Sequence, residues 1–276
     1  MWKNPFKSLL VACMLVAAFT PAGAAELDAF KGEKGTLKIS GGTAHIPVMK
    51  EAAQLIMARY PDIQISIAAG GSGVGIKQVG EGLVDIGNSG RKPTDEEIAR
   101  YGLKVHQWAL DGVGIVVNPK NRVRALSKVQ VMDIFAGRIE NWKALGGEDR
   151  KINIYARDEA SGTREVFWEK ALNKGMVVGG ANIVASNGAM KSAVAQDPYG
   201  IGYVSVGHID QSVAPVIYEG VVPTTATVKG GKYTISRGLY SNTKGEPSGL
   251  AKKFIEFLFT PQGRKLIEKH GFIPYP

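Results

Sequence analysis

Apolar stretches of strand length and apolar stretches of helical period take turns along most of the chain, and this alternation limits the fold more than any single motif. Leu37–Ser40 reads as a strand. After the turn Gly41-Gly42-Thr43, Pro47 opens a helix that sets Val48, Ala52, Leu55 and Ile56 on one face. Ile63, Ile65 and Ile67 alternate as in a strand, and Gly70-Gly71-Ser72-Gly73 leads into a short helix through Ile76 and Val79. Val84–Gly87 reads as a buried strand, and Thr94 to Glu97 form a capping box for the next helix. Further strands are expected at Val113–Val117, Ile152–Tyr155, Ile201–Val204 and Val213–Ile217. Ser127 and Asn187 cap helices, and two amphipathic helices, Leu250–Phe259 and Pro261–His270, end the chain. The pattern predicts an α/β architecture of mixed, mostly parallel sheets flanked by helices.

Three strand-to-helix turns, Gly41–Thr43, Gly70–Ser72 and Ala160–Thr163, share glycine plus a hydroxyl, and a fourth, Gly87 to Arg91, adds Ser89 and a cation. In open α/β sheets ligands sit beyond the carboxyl ends of the strands, so four such turns have the right topology to converge on one small anion. The most telling is Arg157-Asp158-Glu159-Ala160-Ser161-Gly162-Thr163. A helix N-terminus leaves amide N–H groups unpaired and carries about half a positive charge, which suits an oxyanion. Arg157 adds a permanent cation whose donor fork matches such a ligand, and Gly162 admits close approach to the backbone. Read alone, the segment also fits a plain Ser161 N-cap beside a surface arginine. His45, after the first turn, is a further candidate to line the site. Glu159 is placed to orient Arg157.

Other chemistries lack their parts. Gly71–Gly75 does not complete a dinucleotide-binding glycine motif, the lysine spacing of a P-loop is missing, and there is no Gly-x-Ser-x-Gly elbow. The four histidines are far apart and lack zinc-ligand spacing, so no metal and no cofactor is expected. A secreted phosphate-ester hydrolase, the competing class, needs a nucleophile with a base in reach or a metal cluster, and the sequence offers neither; no catalytic residue is assigned. Lys3 and Lys7, the apolar run Leu9–Phe19 and Ala22-Gly23-Ala24 read as an export signal cleaved near Ala24, too short to span a bilayer. The single cysteine, Cys13, lies inside that signal, which leaves a mature chain without disulfides or thiolate sites; an ordinary signal fits better than a lipid anchor at Cys13. The net charge is +9, and the chain stays basic without Lys3 and Lys7. With no nucleic-acid-binding motif, that charge points to an anionic ligand.

Taken in order, Gly42-Thr43-Ala44-His45-Ile46-Pro47, Gly71 through Gln78, Asp85-Ile86-Gly87-Asn88-Ser89, Phe135 through Trp142, Arg157 through Thr163 and Gly200-Ile201-Gly202-Tyr203 resemble the periplasmic phosphate-binding proteins of ABC importers over nearly all the mature chain. The resemblance implies a two-lobed type II binding protein with a hinged cleft: lobe 1 from residues 25–112 and 233–276, lobe 2 from 113–232. It implies inorganic phosphate as ligand, a membrane permease as partner, a monomer and a periplasmic location. By the same resemblance Thr43, Ala44, Ser72 and Ser89 contribute from the first lobe, and Arg157, Ser161, Gly162 and Thr163 from the second; Gly73 and Arg91 are further candidates. The family often carries an aspartate, which accepts the proton of monohydrogen phosphate, where this chain has Gly90. Asp158, Glu159 or a backbone carbonyl would have to replace it, and the choice among phosphate, sulfate, arsenate and tungstate stays open.

Overall fold

The computed structural model describes residues 26–276; the expected signal at 1–24, with Cys13, lies outside the described residues. Gly35–Gly41 (β1) lies between Ile63–Ala69 (β2) and Ile86–Ser89 (β3), parallel to both, with Ile46–Arg59 (α1) and Ser72–Gly80 (α2) as the crossovers. Pro47 stands in the first turn of α1, where its missing N–H costs nothing. Asp95–Tyr101 (α3) starts from the predicted capping box: the Thr94 hydroxyl accepts from the Glu97 amide, and the Glu97 carboxylate accepts from the Thr94 amide. The chain then enters Leu103–Val117 (β4), a strand long enough to belong to two sheets.

Ala125–Leu126 (β5) and Lys128–Phe135 (α4) follow, then Asn153–Arg157 (β6), Gly162–Lys170 (α5), Asn182–Val184 (β7), Asn187–Gln196 (α6) and Gly200–Ser205 (β8). β6 runs parallel to β7 and β8, whereas β8 is antiparallel to β4. Ala214–Pro215 (β9), Ile217–Tyr218 (β10) and Thr225–Lys229 (α7) lead to Ser236–Lys244 (β11), which is antiparallel to β3 and β4. Gly249–Phe259 (α8), Pro261–Lys269 (α9) and Ile273–Pro274 (β12) complete the described chain. The strand order is β2-β1-β3-β11-β4-β8-β6-β7, so the outer strands are parallel and the middle is antiparallel.

The apolar side chains fall into two main cores. One gathers Leu37, Ile39, Val48, Ile56, Ile86, Trp108, Leu239, Phe254 and Phe257. The other gathers Ile115, Phe135, Trp142, Phe167, Ile201, Tyr203, Val216, Tyr233 and Ile235. β4 passes from one to the other: Leu103 to Gly112 pair with β11, and Val113 to Val117 pair with β8.

Three elements differ from the sequence expectation for local reasons. The strand expected at Val113–Val117 begins ten residues earlier, because Lys104, His106 and Gln107 interrupt the apolar signal over the first core. The strand expected at Val213–Ile217 divides, because Pro215 offers no N–H: β9 pairs with β4, the Val216 amide donates to Ile115, and β10 turns to β5. Asn187 is the first helical residue of α6 and not its cap; the Ser186 hydroxyl caps by accepting from the Ala189 amide.

The first turns stack backbone on backbone. Gly41 has φ +116°, and a Cβ there would lie 2.3 Å from the Asn88 carbonyl oxygen; a Cβ on Gly75 would lie 2.5 Å from the same oxygen and 2.9 Å from the Gly41 Cα. This contact holds α2 against the ends of β1 and β3. Gly75→Ala is therefore expected to destabilise the fold by about 1–3 kcal/mol through overpacking, read as a lower midpoint in urea denaturation.

Candidate anion-binding site

Three helix N-termini, those of α1, α2 and α5, meet at one place, and that of α6 stands behind them with its Asn187 amide on Thr43 Oγ1. α1 begins after His45, α2 after Gly71, α5 after Ser161 and α6 after Ser186. The first three bring unpaired amide N–H groups and a partial positive charge. The space between them, about 180 Å³ with its mouth, is lined by Gly42, Thr43, Ala44, His45, Gly71, Ser72, Gly90, Arg157, Ser161, Gly162, Thr163 and Arg237. A larger groove of about 530 Å³ at the outer ends of β6 and β7 carries only Glu140 and Lys151 as charged lining groups, and nothing converges there.

Arg157 ends β6 and is 2 % exposed. Its amide donates to the Tyr203 hydroxyl, whose ring stacks on Phe167 at 4.0 Å between centroids, so the strand end is held from behind. Its Nη2 donates to the Ala185 carbonyl at 3.0 Å. Nε and Nη1 are buried without a hydrogen-bond partner, and the nearest carboxylate oxygen, on Asp158, is 4.0 Å away. Burial and the neighbouring Arg237 both disfavour this charge. A buried cation without its counter-ion is costly, and a bound anion removes that cost.

The hydroxyls around it are held from behind. The Thr43 Oγ1 accepts from the Asn187 amide (3.2 Å) and from its Nδ2 (3.0 Å). The Thr163 Oγ1 accepts from Arg237 Nη1 (3.0 Å) and Asn187 Nδ2 (3.4 Å). The Ser72 Oγ accepts from the Gly90 amide at 2.9 Å, and the Ser161 Oγ caps α5 by accepting from the Arg164 amide at 3.2 Å. A hydroxyl that already accepts has its own proton to give, so four O–H donors join the amides and the guanidinium. The two sides touch closely: the Gly73 amide donates to the Ala160 carbonyl at 3.0 Å, and a Cβ on Gly162 would lie 2.1 Å from the Ser72 Oγ.

Of the residues singled out from sequence, Thr43, Ala44, His45, Ser72, Arg157, Ser161, Gly162 and Thr163 line this cavity; Ser89, Gly73 and Arg91 do not. The Ser89 hydroxyl accepts from Asn242 Nδ2. Gly73 spends its amide on Ala160. The Arg91 guanidinium is held by Glu97 through both Nη atoms and by Glu165 on α5 through Nε at 2.7 Å, which ties the turn after β3 to the helix across the cleft. Glu159 does not orient Arg157: it is exposed, and that work falls to Ala185 and Tyr203. Asp158 accepts from the Ala160 amide and lies outside the cavity. Arg237 and Asn187 were missed as site residues. A lone arginine flanked by serine and glycine gives no motif, though a cation inside a strand is itself a signal. Asn187 shows in sequence only as a helix-start residue, because its side-chain partners Thr43 and Thr163 come from distant turns.

Among the described residues no group of three or more His, Cys, Asp or Glu side chains is placed to hold a metal ion. No described helix is long and apolar enough to cross a membrane.

Residues 29–262 match the model of the PBP superfamily domain. The phosphate-binding protein PstS of Bacillus subtilis is 38 % identical over 97 % of this chain and 94 % of its own length. A phosphate ABC transporter substrate-binding protein from Clostridium perfringens, solved with bound phosphate, superposes with a TM-score of 0.82 at 34 % identity, covering 88 % of this chain and all of that one. An ABC-type phosphate transport receptor from Vibrio cholerae superposes at 0.70 with 32 % identity, over 87 % of this chain and all of its own.

His45 lies beneath the first turn, edge-on to Trp108, and burial first, then Arg237, lowers its pKa to about 3. His208, behind the site, is lowered to about 4 by burial and then by Lys191. The unfolded chain takes up these protons near pH 6.5, well before the folded protein does, so their contribution to stability is complete above that pH and is lost on acidification toward the folded values. Stability is expected to fall by about 1.4 kcal/mol per pH unit per buried histidine below about pH 6. His45 makes no side-chain cap bond, so His45→Leu is expected to flatten the acid limb of a plot of unfolding free energy against pH.

Proposed function

We propose how this chain, which belongs to the PBP superfamily and within it to the phosphate-binding PstS proteins, captures inorganic phosphate for an ABC importer. It is a transport receptor and not an enzyme, as its family membership requires. The observation that carries the residue-level reading is the bare, buried guanidinium edge of Arg157 among three helix N-termini.

In this reading Arg157 is the chief counter-charge. Thr43, Ser72, Ser161 and Thr163 give their hydroxyl protons, and the backbone at Thr43, Ala44, Gly162 and Thr163 gives amide donors. His45 stays neutral and shapes the floor under Gly42. Ser89, Gly73 and Arg91 act around the ligand and not on it: Ser89 holds Asn242, Gly73 bridges to Ala160, and Arg91 links the two sides through Glu165. No bond of the ligand is made or broken. Dehydrating the anion offsets much of the gain from roughly ten donors; at about 1.5 kcal/mol per heavy atom the whole ion reaches about 7.5 kcal/mol, near micromolar affinity.

The two cores are the lobes of this reading, with residues 113–235 as the second and the flanking segments as the first. Tyr233 and Ile235 pack in the second core, which supports a return crossing at Ser236 rather than at 233. Closure by hinge motion about β4 and β11 exposes and covers the anion, and the closed form docks on the permease. The signal pattern around Lys3, Leu9–Phe19 and Ala24 supports export to the periplasm.

Arg157→Ala is expected to fold with an unchanged or higher melting temperature, since it removes an uncompensated buried charge, and to lose phosphate affinity by about 2–5 kcal/mol in calorimetric titration. An unchanged dissociation constant would refute the residue assignment. Ser72→Ala is expected to cost less, about 1–3 kcal/mol, by leaving the Gly90 amide unpaired.

A further inference from the structure

With the lobes divided as above, a single ion pair among the described residues crosses between them: Arg91, in the turn after β3, has its Nε 2.7 Å from Glu165 Oε2 on α5. Every other ion pair of the described residues stays within one lobe. The first lobe holds the guanidinium ready. Glu97 on α3 takes Nη1 and Nη2 at 2.6 and 2.7 Å, and the Lys92 carbonyl accepts from Nη1 at 3.3 Å. Glu97 is fixed in turn by the capping box, where its Oε2 accepts from the Thr94 amide at 2.8 Å. Only the Nε edge of Arg91 is left for the opposite lobe, and its direction is set before the lobes meet.

Both partners are neighbours in the chain of residues that line the cavity, and neither lines it. Gly90, which precedes Arg91, gives its amide to Ser72 Oγ. Gly162 and Thr163 line the cavity at the start of α5, and Glu165 follows in the same first turn. A motion that brings the α5 amides to an anion therefore brings Glu165 to Arg91. Without an anion, closure sets Arg157 of the second lobe near Arg237 of the first, which disfavours the Arg157 charge. The cross-lobe pair opposes that repulsion only modestly. Its side chains are 15 % and 45 % exposed, so solvent screens it in part. Burial raises the Glu165 pKa, Arg91 works against that rise, and Glu97 and Glu169 add to it. Glu97 thus aims Arg91 and also repels Glu165, which keeps the contact breakable.

We propose that Arg91 and Glu165 are positioning residues that form a closure latch: they meet only when the lobes close, and they set how long phosphate is held. This rests on the reading of the two cores as hinged lobes around the phosphate cavity. The pair touches no ligand, so it shifts the balance of open and closed forms by the same factor for any anion that fills the cavity. Entry starts from the open form, before the pair meets, so the latch acts on release.

The test is a double-mutant cycle with Arg91→Gln, Glu165→Gln and both together. Release is read by chasing radiolabelled phosphate with unlabelled phosphate, and affinities for phosphate and arsenate by calorimetric titration. Glu165→Gln is expected to release phosphate about three- to tenfold faster, with an association rate within about twofold of the wild type and the same loss of affinity for both anions. Its ligand-free melting temperature should not change, because the latch is open there. Arg91→Gln should also speed release, and the double variant should be no faster than the faster single one. Single effects that multiply in the double variant overturn the proposal. So does a Glu165→Gln protein that melts lower without ligand yet releases phosphate at the wild-type rate, the mark of a carboxylate that serves only the α5 N-terminus. A changed ratio of phosphate to arsenate affinity overturns it too, by placing the pair on the ligand. The parent reading fails separately, in the wild type alone, if phosphate does not bind or binds without compaction in small-angle X-ray scattering.

Discussion

A guanidinium sealed from water with one edge unsatisfied is the condition on which the rest of the structure depends. Arg157 is brought to that position by a buried strand end, the Tyr203 hydroxyl and the Ala185 carbonyl, none of which carries negative charge to neutralise it. Isolated, such a group would draw in water or a carboxylate. Here the surrounding groups make the deficit larger: helix N-termini face it and a second arginine sits nearby. The fold stores a demand for an anion at this point.

A second layer of hydrogen bonds stands behind the residues that line the cavity. Asn187 reaches Thr43 on one side and Thr163 on the other with the same amide group, while its Oδ1 accepts from the Ser205 amide. Ser205 in turn holds Asp111, and Asp111 holds Arg237. One chain of hydrogen bonds thus runs from the first helix of the site through the middle strands to the other face. Networks of this kind fix the direction of each hydroxyl proton.

The strand-and-helix rhythm made most of the outer architecture legible, because buried parallel strands and amphipathic helices announce themselves through apolar spacing. Pro47, Thr94 and Ser127 marked helix starts by chemistry that depends on local backbone alone. The site turns were legible for the same reason: glycine and hydroxyl before a helix is a local signature. β11 was not legible. Ser236, Arg237, Ser241, Asn242 and Thr243 look like a surface loop, yet four of these five are buried, because their partners are other polar groups brought in from β3, β4 and α5. Arg91 misled in the opposite direction. It follows a site turn and carries the right charge, but Glu97 on the helix after it and Glu165 from across the cleft claim its donors. Polar residues whose purpose is set by distant partners carry no period, and only the fold assigns them.

The split composition of the first core has a consequence for how the chain is made. Leu37, Val48, Ile86 and Trp108 come from its early part, and Leu239, Phe254, Phe257 and Phe272 from its last forty residues or so, while Val113 to Ile235 build the other core. A nascent chain therefore holds an incomplete hydrophobic nucleus until nearly the whole of it has left the ribosome. Late compaction of that kind leaves the early apolar segments without their final partners through most of synthesis.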